Sequence, residues 1–143
     1  MTSSVPRSLA RLLALARIGI GATALVAPTR MVRPWIGAGA ESPDARLLAR
    51  TMGGRDLALG LGALRALAVA DAEARPWMAL AGMADAVDAA VTIMAFRRLP
   101  RGTRWGILAA TLGAAVASFR LAVALDPDEP AVSARPSATD RTA

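Results

Sequence analysis

The chain has 143 residues, 55% hydrophobic but only 3% aromatic, with no Cys, His or Tyr and a formal net charge of +6. Those absences exclude a Cys- or His-ligated metal, a thiol nucleophile, a Ser-His-Asp triad and c-type haem attachment. All 17 basic residues are Arg, and they fall mostly between apolar segments instead of along one polar face, so they fit the flanks of membrane helices and no nucleic-acid partner is expected.

Four apolar segments of about 20 residues follow one another at 8–27, 51–70, 76–96 and 103–125. At about 1.5 Å per residue, each matches the ~30 Å hydrocarbon core of a bilayer. The expected fold is all-α: one four-transmembrane-helix bundle of two hairpins over residues 8–125, followed by a disordered polar tail at 126–143.

The first segment ends at Ala27-Pro28, where proline removes the next backbone donor and biases its predecessor away from helix. Residues 1–27 also resemble a secretory signal peptide, but Arg17 interrupts the apolar run and Pro28 would directly follow the cleavage site. Ser42-Pro43-Asp44 supplies an N-cap, a first-turn proline and a first-turn acid, so the second helix should begin well before its apolar part. Pro76 and Thr103 mark the starts of the third and fourth helices, and Leu99-Pro100 and Asp126-Pro127 mark their ends. Trp35, Trp77 and Trp105 lie near segment ends, as at a headgroup boundary. A soluble bundle would show a broad polar face on each helix, whereas these segments carry isolated charges. The tail is too poor in apolar residues to offset its ordering entropy.

Loops 1–2 and 3–4 share one side and hold Arg30, Arg33, Arg46, Arg50, Arg97, Arg98, Arg101 and Arg104. The positive-inside rule then places both termini outside the cytoplasm.

Charges inside the segments cost ~2.5–3.5 kcal/mol each on insertion scales and usually face the bundle interior in pairs. Arg17 and Asp85 fall at similar depth near the midplane, and Asp88 lies a turn nearer the surface, within reach of Arg55. The expected pairs are therefore Arg17 with Asp85 and Arg55 with Asp88. Asp56 then needs Arg55, a loop arginine or a proton. Asp85 and Asp88, at i and i+3, share one helix face. Arg65 and Arg120 are placed to snorkel to the other surface. Small residues at Gly53, Gly54, Gly60 and Gly62, and at Ala109, Gly113 and Ala117, suit close helix packing or dimerisation.

The run Leu47-Leu48-Ala49-Arg50 through Gly53-Gly54-Arg55-Asp56-Leu57-Ala58-Leu59-Gly60-Leu61-Gly62, with Ala84-Asp85-Ala86-Val87-Asp88-Ala89, resembles small bacterial four-helix membrane proteins without an established biochemical role, in the neighbourhood of the DoxX-like families. That resemblance spans about residues 8–125. It implies an architecture in the bacterial inner membrane, with Arg55, Asp56, Asp85 and Asp88 as its motif positions.

Three functions stay open at this point. The buried cluster of Arg17, Arg55, Asp56, Asp85 and Asp88 fixes a non-enzymatic accessory bundle that meets a membrane-protein partner or a second copy; or Asp85 and Asp88 carry protons in a small homodimeric transporter. A membrane enzyme or quinone-linked subunit is the third, and without His it would need a partner for redox chemistry. No cofactor or metal is expected.

Overall fold

Pro28 ends one helix and begins the next. The computed structural model describes residues 4–125, which form five α-helices: α1 (Ser4–Val26), α2 (Pro28–Ile36), α3 (Pro43–Val69), α4 (Asp71–Ala95) and α5 (Arg104–Ala124). A 3-10 turn, Gly37–Glu41, joins α2 to α3. The described residues contain no strand. The expected tail at 126–143 lies outside them.

Three helices, α1, α4 and α5, are long and apolar enough to cross a membrane, with mean hydropathies of 1.7, 1.5 and 1.8. This is the make-up of a membrane-embedded helical protein. α3 is the longest helix at 27 residues but carries Arg46, Arg50, Arg55, Asp56 and Arg65 along its length.

The main seam is built from small residues. Ala10, Ala14, Arg17, Gly21 and Ala24 are the buried residues of α1, and their spacing alternates four and three. Ala49, Gly53, Asp56, Gly60, Ala63 and Leu67 repeat that alternation in α3, as do Asp71, Ala74, Met78, Ala81 and Asp85 in α4. Such a heptad pattern keeps one face turned to the neighbouring helix along its whole length. α1 and α3 run antiparallel, and their meeting points recur every seven residues. A Cβ on Gly21 would stand 2.6 Å from the carbonyl oxygen of Gly53, and one on Gly60 would stand 2.7 Å from that of Ala14. At the far end, Arg7 Nη2 donates to the Leu67 carbonyl at 2.6 Å.

α5 packs on α4 through Ala115, Ser118 and Leu121, and Phe119 lies over Gly82. The series Ala109, Gly113 and Ala117, expected to suit close helix packing or dimerisation, is exposed on the single chain and does not pack within the bundle, and nothing approaches Gly113 within 4 Å. The physical reason is helix rotation: the face of α5 set by Ser118 and Leu121 turns the opposite stripe outward.

Several boundaries differ from the sequence expectation, among them the end of α4 at Ala95, ahead of Leu99-Pro100. Pro76 lies inside α4 and does not begin it. The helix starts at Asp71, where Asp71 and Glu73 favour the first turn electrostatically and Arg7 holds the Asp71 carboxylate at 2.7 Å. The stretch expected as loop 1–2 contains α2, because Pro28 is pre-set for a first helical turn and Val32 finds a buried site. Ser42 caps α3 as expected, accepting from the Ala45 amide at 3.1 Å.

Candidate functional site

The middle of the α1–α3–α4 seam is occupied by charge where the turns above and below hold alanine or glycine. Arg17, Asp56 and Asp85 are 5%, 8% and 8% exposed. Arg17 donates through Nη1 to Asp56 Oδ1 at 3.0 Å and through Nη2 to Asp85 Oδ2, and Nη2 also reaches the Ala81 carbonyl at 3.1 Å. One side chain thus fastens α1 to both other helices.

A second layer lies one turn away. Arg55 grips Asp88 in a fork, Nη2 to Oδ2 at 2.7 Å and Nη1 to Oδ1 at 3.1 Å, and its Nε and Nη2 both reach Asp56 Oδ1 at 3.3 Å. Bidentate pairs of this kind fix geometry as well as charge. The structure therefore brings Arg17 to Asp85 and Arg55 to Asp88, and places all five residues in one network. It also supplies what the sequence left open for Asp56, whose Oδ1 is shared by Arg17 and Arg55. The matched depth of Arg17 and Asp56 follows from the seven-residue register of α1 on α3.

Three carboxylates face two guanidinium groups in this network. Its bonds use Asp56 Oδ1 and Asp85 Oδ2, which leaves the second oxygen of each without a partner among the described residues. Arg17 Nε is likewise buried and unpartnered among them.

Two cavities adjoin the network. One of about 300 Å³ is lined by Asp56, Asp85 and Asp88 together with Ile20 of α1, Trp35 of α2 and Thr111 of α5, and most of its remaining wall is apolar. A second of about 380 Å³ lies between α2, α3 and α4, and Asp88 and Trp35 border both. α2, which sequence reasoning missed, forms their outer wall. It is tied down by Trp35 Nε1 donating to Thr92 Oγ1 at 3.3 Å and by Thr103 Oγ1 donating to the Pro34 carbonyl at 2.5 Å.

A separate clamp stands at the opposite end of the seam. Arg7 Nη1 pairs with Asp71, which is 2% exposed, while Nη2 caps the last turn of α3. The sequence reading gave Arg7 no partner and did not single out Asp71. The available signal was an acid placed at the start of an apolar helix. Arg65 and Arg120 are exposed.

No family model, curated protein or solved structure matches the chain. These comparisons give no family evidence for the DoxX-like neighbourhood expected from the sequence. Among the described residues no group of His, Cys, Asp and Glu is arranged to hold a metal ion. What the described residues show is an ion-paired network beside a mainly apolar cavity.

Proposed function

We propose that the protein is a multi-pass protein of the inner or plasma membrane with four crossing helices, α1, α3, α4 and α5, acting as a non-enzymatic accessory bundle to a membrane partner. The crossing of α3 is supported by its register: it lies beside α1 from Gly21 and Gly53 to Arg7 and Leu67, so it shares the depth of α1 throughout. Its central charges are neutralised internally by Arg17 and Asp88, which lowers the cost of placing them in hydrocarbon.

The observation that carries the accessory reading is Arg17, a 5% exposed guanidinium fastening three helices at once. A cation committed to two carboxylates and a backbone carbonyl suits the fixing of register and rotation better than turnover. Purifying the tagged chain and identifying what accompanies it tests the reading, together with the stability of Arg17→Ala and Asp85→Asn. A stoichiometric second protein and weakened variants support it. A lone chain with both variants as stable as the parent sinks it.

One further reading is favoured by the excess carboxylate and the free oxygens beside the 300 Å³ cavity. In it, a homodimer moves a small substrate against protons taken up at Asp85 or Asp88. Substrate-driven proton flux in liposomes, lost in Asp88→Asn, supports that reading, and inert liposomes across a broad substrate panel count against it.

A further inference from the structure

The turn between α4 and α5 is the most concentrated basic feature of the described chain. Arg97, Arg98, Arg101 and Arg104 fall within eight residues that contain no Asp or Glu. None of the four is in an ion pair among the described residues, whereas Arg7, Arg17, Arg33 and Arg55 all are. Arg104 instead lies over the Phe96 ring at 4.8 Å, and Phe96 meets Trp105 edge to face at 4.7 Å. The aromatic pair thus braces the turn and leaves the two arginines beside it directed by no internal partner.

Immediately below Arg97 and Arg98 is a recess of about 610 Å³ between α4 and α5, walled by Ile93, Met94, Trp105 and Leu108. Met94 is 86% exposed and Trp105 65%. The recess therefore has a cationic rim and an apolar, outward-facing body, separate from the Arg–Asp network and its cavities. Two exposed guanidinium groups match a phosphodiester, and the wall beneath matches the start of an acyl chain.

We infer that this recess binds one anionic phospholipid, with the phosphate between Arg97 and Arg98, the headgroup at the level of Trp105 and an acyl chain along Met94 and Leu108. The choice of an anionic lipid over a zwitterionic one follows from charge. Four arginines with no acid among them attract net negative charge, and a choline group would bring a second cation to the same rim. The inference rests on the membrane reading above, since a turn between two crossing helices must lie at a bilayer surface.

The test uses the tryptophan in the recess. The full chain and a Trp105→Phe variant are reconstituted into bilayers containing brominated phosphatidylglycerol or brominated phosphatidylcholine at equal mole fraction, and the difference in quenching isolates the Trp105 signal. The expected result is stronger quenching of Trp105 by the glycerol lipid. Arg97→Gln with Arg98→Gln should weaken that preference roughly 30-fold, at about a kcal/mol per arginine near the surface. Arg30→Gln with Arg33→Gln removes the same charge from the same side outside the recess and should leave it. Equal quenching by the two lipids, or equal loss in both double variants, overturns the lipid site while leaving the membrane reading intact. Quenching by neither lipid overturns the membrane reading, and the site falls with it.

Discussion

Arg17 and Asp56 share a hydrogen bond of 3.0 Å from core positions of two antiparallel helices whose neighbouring contacts are glycine on glycine and glycine on alanine. Small residues bring the backbones of α1 and α3 close enough that few large side chains fit between them. Such a seam gains little specificity from shape, because one small residue resembles the next. The charged layer breaks that degeneracy, since sliding α1 by one heptad on α3 would leave Arg17 facing Ala49 or Ala63 and two carboxylates without their cation. Fixing register is the best-attested use of a buried ionic group.

The coupling within that layer can be measured. Arg17→Met is expected to destabilise the protein by about 3–5 kcal/mol, because it leaves Asp56 and Asp85 buried with one cation fewer. Adding Asp85→Leu should recover a clear part of the loss, as an apolar replacement of both partners removes the uncompensated charge. Unfolding in detergent by a denaturing surfactant reports both. A double variant no more stable than Arg17→Met alone would show that the two residues are not coupled.

Adjacent glycines should behave in opposite ways. A Cβ on Gly53 would meet the Ala24 Cβ and the Gly21 carbonyl oxygen at 2.8 Å each, while one on Gly54 would meet nothing within 4 Å. Gly53→Ala is therefore expected to lower the unfolding temperature by forcing α1 and α3 apart. Gly54→Ala should raise stability by roughly 0.5–1 kcal/mol, the usual gain from removing a glycine inside a helix. Gly113→Ala on the exposed face of α5 should follow Gly54. A loss at Gly113→Ala with a gain at Gly54→Ala would mean that α5 is covered by something on its outer face.

Much of this was legible in the residues. Arg55 with Asp88 follows from counting depth, because ion pairs in hydrocarbon must meet at one level. Asp56 was left with several candidate partners, since pairing by depth does not reveal which helix lies beside which. The alternation of three and four among Ala10, Ala14, Arg17, Gly21 and Ala24 carries that information, but alanine and glycine give it no contrast in hydrophobicity. α2 was illegible for another reason. Nine residues containing two prolines and two arginines have the composition of a loop, and its helix is held by Val32 in the core and by the bonds of Trp35 and Pro34 to distant residues.

The clamp at the other end of the seam predicts a local effect. Arg7 bridges the last turn of α3 and the first residue of α4 across a single connecting residue, Ala70. Arg7→Gln should remove about 1.5–3 kcal/mol, the range for a hydrogen bond to a charged group, towards the lower end because Arg7 is itself partly exposed. Hydrogen exchange should speed up at the α3–α4 junction and stay slow around Arg17. Uniformly faster exchange would show that the clamp supports the whole bundle.

The fourth crossing is open to a direct test because the chain has no cysteine, so each introduced thiol reports alone. Gly39, Glu73 and Gly102 are suitable sites: Gly39 lies in the turn before α3, Glu73 is the exposed residue of the first turn of α4, and Gly102 lies between α4 and α5. If α3 and α4 both cross, Gly39→Cys and Gly102→Cys lie on one side and Glu73→Cys on the other. On the orientation expected from the arginine bias, a membrane-impermeant thiol reagent should label Glu73→Cys in intact cells and reach the other two only after lysis. Were α3 to lie off the membrane while α4 crosses, Gly39→Cys would be labelled with Glu73→Cys and apart from Gly102→Cys. That pattern would leave the Arg17–Asp56 bond without a bilayer around it, and would turn the buried network from the midplane of a four-helix bundle into the edge of a three-helix one.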